Sequence, residues 1–279
     1  MFSINTGDDM FKETIWSLGA DFHCGSTTGL TLAPKNDIQR ATLARYADAV
    51  AWLDCEPDVV LVNGDGWDGK DPKGKDVTND DMVDQAMDCA DLVVMQRPKK
   101  EVILVTGTRY HDQHKNQQFE RVFAERVRTQ MIEKYDRRIR ISVRRKLKTM
   151  INSWFMLEAR HNIGGSSIPH GRATAPLRSQ AWNVLNAAIS ARESGKPVKW
   201  PDLLVFAHRH YYMAAENAWG DVVVLPSWQA LGGVYGDEIC DGHVDLGLIK
   251  LRVGATKETG WSRKKRLYQA GVVPRLEAR

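Results

Sequence analysis

Pro57-Asp58-Val59-Val60-Leu61-Val62-Asn63-Gly64-Asp65-Gly66-Trp67-Asp68 joins an almost wholly apolar run to a carboxylate bracketed by glycines. Val59–Val62 shows no polar alternation, so it predicts a strand buried on both faces, which a covered, partly parallel sheet requires. Asp65 then stands at the C-terminal end of that strand, where ligands gather in open α/β sheets. Gly64 and Gly66 let the backbone turn sharply and let other groups approach closely. A plain strand-to-loop turn has the same local pattern, so the meaning of Asp65 depends on what accompanies it.

Upstream, Thr14–Ala20 predicts a short strand running into Asp21-Phe22-His23-Cys24-Gly25-Ser26, followed by a helix over Asp37–Leu53. Downstream, Thr78-Asn79-Asp80-Asp81 is a helix start with a capping hydroxyl and early acids, and Pro98 stops that helix. Glu101–Thr106 predicts a third buried strand ending at Gly107-Thr108-Arg109-Tyr110-His111, and a basic helix is expected over Asn116–Tyr135. Alternating strands and helices with right-handed crossovers make the first strands parallel. Beyond Tyr135 strands dominate: Ile139–Val143, Trp154–Arg160, Leu203–Ala207, Asp221–Leu225 and Val244–Val253, interrupted by a helix over Pro176–Arg192. The expected architecture is α/β, with two packed mixed β-sheets flanked by helices. Residues 1–262 are expected to form a single domain, followed by a basic C-terminal tail over 263–279.

A chain of 279 residues, 43% hydrophobic and 27% charged, has the length for a large core and the balance of an ordinary globular protein. No apolar run approaches the roughly 20 residues that span a bilayer, so no membrane partner is expected. Met1–Met10 carries Asp8 and Asp9 and lacks the basic-then-apolar pattern of a signal peptide, which points to the cytoplasm. Cys24, Cys55, Cys89 and Cys240 are scattered without a CxxC pair, which excludes a zinc ribbon and suits free thiols. Oligomeric state is left open, a homodimer included. The charge is unevenly spread. Arg121–Lys148 holds 11 Lys/Arg against 3 acids, whereas Asp65–Asp91 holds 9 aspartates against 3 lysines. A basic face beside an acidic pocket suits a polyanion, DNA or RNA above all, with Arg144-Arg145-Lys146 as the expected contact; a solvated helix face is the alternative.

Six of the eight histidines lie just past a strand or in the loop after one: His23, His111, His161, His170, His208 and His210. Asp21 and His23 are two apart, as are His208 and His210, so each pair can point the same way from an extended backbone. A mixed Asp/His set suits Mn, Fe or Zn rather than Mg or Ca, which favour all-oxygen shells. Two such cations about 3.5–4 Å apart need one shared carboxylate and clamp the attacking and leaving oxygens of an in-line displacement.

Asp21-Phe22-His23, Gly64-Asp65-Gly66-Trp67-Asp68, Gly107-Thr108-Arg109-Tyr110-His111, His161 and Ala207-His208-Arg209-His210 together resemble, in order, the motifs of the calcineurin-like metallophosphoesterases. The variants Asp-Phe-His-Cys-Gly-Ser, Gly-Thr-x-x-His and His-Asn-Ile-Gly-Gly-Ser-Ser look most like members of phage and prophage origin. The resemblance covers about residues 15 to 253 and implies a β-sandwich flanked by helices. It also implies two divalent transition-metal ions, manganese first, with iron or zinc as alternatives. By that resemblance Asp21, His23 and His210 hold one ion, His161 and His208 the other, and Asp65 bridges. Asp68 is then a catalytic carboxylate that orients a histidine from behind. The third motif departs from the family: Thr108 replaces a metal-binding Asn and His111 arrives two residues late. His111 is left as either a second-ion ligand or the general acid on the leaving oxygen. Arg109, His170 and Arg172 are candidate substrate-phosphate contacts. The implied activity is hydrolysis of phosphodiesters, nucleic acid included, by a metal-bridging hydroxide. A phosphomonoesterase or protein phosphatase with the same metals, and a non-catalytic scaffold, are the alternatives.

Overall fold

The computed structural model describes residues 12–69, 76–108, 118–164, 171–232 and 244–269. Its elements are β1 (Thr14–Gly19), α1 (Asp37–Trp52), β2 (Val59–Asn63), α2 (Met82–Met95), β3 (Glu101–Val105) and α3 (Gln118–Tyr135) in the first half. Then come β4 (Arg140–Arg144), β5 (Leu147–Ile151), β6 (Phe155–Ala159), α4 (Thr174–Ser194), β7 (Leu203–Phe206), β8 (Met213–Asn217), β9 (Gly220–Val224), β10 (Asp245–Val253) and β11 (Trp261–Gln269). Two mixed sheets form, in the orders β11-β10-β1-β2-β3-β4 and β5-β6-β7-β9-β8. The fold is α/β, two mixed sheets packed face to face with helices on the outside.

The apolar runs behave as their lack of alternation predicts. Every residue of β2 and β3 is buried, because these strands serve two cores. Val60, Val62, Val102 and Leu104 face the core shared with α1, α2 and α3, where Tyr46, Ala90 and Phe123 pack. Val59, Leu61, Ile103 and Val105 face the inter-sheet core opposite Phe155, Leu157, Leu203 and Val205. The outer face of the second sheet, Leu204, Phe206, Val222 and Val224, packs against Leu177 of α4. β1 to β4 are mutually parallel, so their C-terminal ends leave the first sheet at one edge. β6 and β7 are likewise parallel in the second sheet.

Three strands carry no continuous apolar run and are not predicted by the sequence: β5, β8 and β11. All lie at sheet edges, where one side of the strand meets water and polar residues are favoured. β11 corrects the expected basic tail at 263–279. Residues 261–269 pair along their whole length with β10, and their alternation distributes the cations to two faces. Trp261 packs on Phe155 with ring centroids 5.1 Å apart, and Arg263 lies 3.6 Å from Asp221. Lys265 sits 3.9 Å over the Tyr212 ring. On the opposite face Arg266 pairs with Asp48 of α1 at 2.8 Å. The remaining residues, 270–279, lie outside the described ones.

Truncation before Trp261 therefore strips an edge strand and opens the β10 backbone. We expect insoluble protein or a melting temperature lower by ten degrees or more; a change of one or two degrees is what a solvated tail would give.

Candidate metal centre

The C-terminal ends of β1, β2, β3, β6 and β7 converge, and backbone hydrogen bonds tie their loops together. The Asp21 N–H donates to the Gly64 carbonyl at 3.2 Å and the His23 N–H to the Asp65 carbonyl at 3.0 Å. The Ala207 N–H donates to the His161 carbonyl at 3.0 Å, joining the exits of β6 and β7. Two ligand groups result: Asp21 with His23 and His210, and Asp65 with His161 and His208, the donor atoms of each lying within 4.8 Å of one another. Asp21, Asp65, His23, His161 and His210 are all at most 3% exposed, so the site is almost dry.

The backbone is bent to make this possible. Asp21 (φ 52°), His23 (47°), Asp65 (42°), His208 (72°) and His210 (53°) all occupy the left-handed region. Non-glycine residues hold such angles at a cost on the order of 1–3 kcal/mol each, and they do so where function demands it. Two glycines make room for the side chains. A Cβ on Gly64 would come within 2.1 Å of His161 Nδ1, and one on Gly107 within 1.9 Å of Asp65 Oδ1.

Hydrogen bonds from behind set the imidazole tautomers. His161 Nδ1 lies 2.8 Å from the Asn63 carbonyl, an acceptor only, so that nitrogen carries the proton. His23 Nδ1 lies 2.7 Å from Asp68 Oδ1 in the same relation. Both rings thereby turn Nε2 inward, the orientation that metal-binding histidines adopt. The Thr108 N–H donates to Asp65 Oδ1 at 2.7 Å, leaving Oδ2 facing His161 Nε2 at 2.9 Å and His208 Nδ1 at 3.9 Å. The His208 N–H donates to Asp21 Oδ2 at 3.0 Å. Asp21 Oδ1 is buried with no hydrogen bond among the described residues.

The titration shifts show what the site requires. Burial pushes the Asp21 carboxyl up to about 6, against the pull of His161. Burial draws the His161 imidazole down, but Asp65 and Asp21 outweigh it and carry it up to about 9. Burial also lowers His23, and its bond to Asp68, together with the charges of Asp68, Asp65 and Asp21, more than restores it. His210 goes the other way: burial, and then the charge on His23, hold it well below the usual imidazole range. Carboxylates this deep need positive charge beside them, from protons or from cations. The donor set, the inward-turned Nε2 atoms and the bare Asp21 oxygen fit divalent transition metals.

Of the other sequence candidates, His111, Arg109 and His170 lie outside the described residues. Arg172 stacks 4.5 Å from the ring of Tyr211, the residue after His210. Trp228, whose backbone N–H donates to the Asp21 carbonyl, is fully buried and packs edge-on against Tyr46. Asn63 has no role in the sequence motifs. Asn63 acts through its carbonyl, which no side-chain pattern reveals, and through an amide that donates to the Arg160 carbonyl at 3.1 Å.

No protein-family model matches the sequence, and no curated protein matches it. Among solved structures the chain is similar to an archaeal phosphodiesterase, at 11% identity and a TM-score of 0.42, covering 91% of this chain and 100% of that one. It is also similar to Vps29 from Entamoeba histolytica complexed with zinc, at 13% identity and a TM-score of 0.36, covering 92% and 99%. A third is a conserved uncharacterized protein, a predicted phosphoesterase, from Streptococcus pneumoniae, at 10% identity and a TM-score of 0.33, covering 91% and 99%.

Asp68→Ala should weaken Mn²⁺ binding by about 10–100-fold in a calorimetric titration, because His23 loses its orientation; unchanged affinity would show that Asp68 has no such role. In metal-free protein His161 and His23 bind protons more tightly folded than unfolded. Their contribution to stability is complete below about pH 6.5 and is lost as pH rises toward 9. Melting temperatures in EDTA should fall by several degrees from neutral pH to pH 9, and His161→Asn should flatten the slope. A flat wild-type profile contradicts this.

Proposed function

We propose that the chain is a metal-dependent phosphoesterase of the calcineurin-like type that hydrolyses phosphodiesters at a two-cation centre. The observation that carries this reading is the pair of facing Asp/His groups, five of whose six members sit on left-handed backbone. A scaffold has no use for that combined strain, which argues against the non-catalytic alternative. Asp21, His23 and His210 would hold one cation, His161 and His208 the other, with Asp65 shared between them. Bound there, divalent cations supply positive charge to phosphoryl oxygens and lower the pKa of water.

The chain's own residues supply position. Asp68 and the Asn63 carbonyl fix the rings of His23 and His161. Thr108 ties one oxygen of Asp65 and so aims the other. His208 is the most exposed of the six, with its side chain 23% accessible, and its side is the proposed entry for substrate. Manganese is the proposed native metal, His111 the proposed further ligand or leaving-group acid, and Arg109, His170 and Arg172 the proposed phosphate contacts. A phage-type member is proposed from the resemblance of the motif variants alone. Cys24, Cys55 and Cys89 are free, in keeping with a reducing, cytoplasmic setting.

Loaded with Mn²⁺, the purified protein should hydrolyse bis-p-nitrophenyl phosphate faster than p-nitrophenyl phosphate. Faster monoester turnover would make it a phosphomonoesterase, and turnover of neither would overturn the enzyme reading. Asp65→Asn should lower kcat by roughly a thousandfold or more while the melting temperature stays within a few degrees, since the amide fits the same space. Retained activity would show that no cation depends on Asp65.

A further inference from the structure

The basic run between Arg121 and Lys148 divides into two parts with different surroundings. On α3 the arginines are largely taken up: Arg126 pairs with Asp91 at 2.7 Å, and Arg137, just past the helix, with Glu56 at 3.0 Å. On β4 and β5 the cations line a groove of about 580 Å³ that opens where the two sheets part. β4 is the edge of one sheet and β5 the edge of the other. Arg140, Ser142 and Arg144 lie in register with Glu101, Ile103 and Val105. Ile103 and Val105 belong to the inter-sheet core, so at β4 the face that is apolar elsewhere becomes Arg-Ser-Arg. Lys146 and Lys148 line the facing wall at its exposed rim, while Leu147 and Ile151, which alternate with Lys148 along β5, line it from the inter-sheet core.

Glu101 is satisfied by Arg140 and Ser142, each at 2.7 Å. Lys146 pairs with Glu158 at 2.9 Å. Arg144 and Lys148 have no ion pair among the described residues. Charge on an edge strand often serves only to block pairing with another chain. That explanation does not account for four cations, Arg140, Arg144, Lys146 and Lys148, gathered along one groove between two edges. Nor does it account for where the groove leads. The Arg144 carbonyl accepts from the Thr106 N–H at 2.8 Å, two residues before the Thr108 that holds Asp65. Glu158 joins Lys146 to Arg160, the neighbour of His161.

We infer that this groove is a track for single-stranded nucleic acid that delivers its phosphodiester backbone to the metal centre. The inference rests on the diesterase reading and names its substrate class. Positively charged grooves with apolar contacts for bases bind single strands without sequence preference. A groove of about 580 Å³ between two β-edges suits one extended chain better than a duplex. The earlier expectation of Arg144-Arg145-Lys146 is thereby refined, with Arg144 and Lys148 as the cations available to phosphate.

The test is fluorescence anisotropy of labelled oligothymidylate and oligouridylate in EDTA, where metal-dependent cleavage cannot consume the probe. Wild-type protein should bind both, and more tightly than the matching duplex. Arg144→Gln/Lys148→Gln should bind at least about tenfold more weakly, with the slope of log affinity on log salt shallower by about 1.4, at 0.7 per lost contact. A surface control, Lys257→Gln, should bind as wild type. The inference is overturned if wild type binds no oligonucleotide, prefers the duplex or releases the probe first to polyglutamate, or if the double variant binds as wild type. The metal reading is checked separately: failure of Mn²⁺-loaded wild type to cleave bis-p-nitrophenyl phosphate tells against the centre, not the groove.

Discussion

Two carboxylates placed where water barely reaches them govern this structure. Asp21 and Asp65 are at most 1% exposed, and ionised carboxylates in such a place are costly unless positive charge is close by. His161, 2.9 Å from Asp65 and 3.8 Å from Asp21, can meet that demand with a proton. A pair of cations meets it more completely. The raised His161 and the raised Asp21 are two expressions of the same deficit of positive charge.

Holding those carboxylates together with four imidazoles requires both sheets. β1 and β2 deliver Asp21, His23 and Asp65 from the first; β6 and β7 deliver His161, His208 and His210 from the second. Their strands are rigid because they are buried on both faces, and the loops are stitched by backbone bonds rather than left to side-chain packing. Strain concentrates at the strand exits, where Asp and His tolerate left-handed angles better than most residues. The groove between β4 and β5 is a by-product of the same layout: the sheets part at that edge, and Arg144 at the end of β4 is tied to the exit of β3.

The buried strands and the ligand series were legible because each leaves a local signature. Val59–Val62 and Leu203–Phe206 have no polar alternation, and the histidines recur at successive strand ends. β5, β8 and β11 were hidden because an edge strand needs only one apolar side, and Met213–Asn217 or Ser262–Arg266 read as loop or tail. Asn63 was hidden for another reason. It works through its carbonyl, and backbone groups are invisible in a list of side chains. Gly107 looked like a motif letter, yet its physical role is to leave room for Asp65 Oδ1. The basic run could not be resolved from sequence because a helix face and a groove wall differ only in what stands opposite them.

The central claim is that Asp65 is shared by two cations. Electron paramagnetic resonance of the Mn²⁺-reconstituted protein, with metal content determined on the same sample, tests it most directly. Two ions per chain with a spin-coupled pair signal is the predicted result, replaced in Asp65→Asn by the six-line spectrum of isolated Mn²⁺. A single ion per chain, or uncoupled ions in the wild type, would contradict the account.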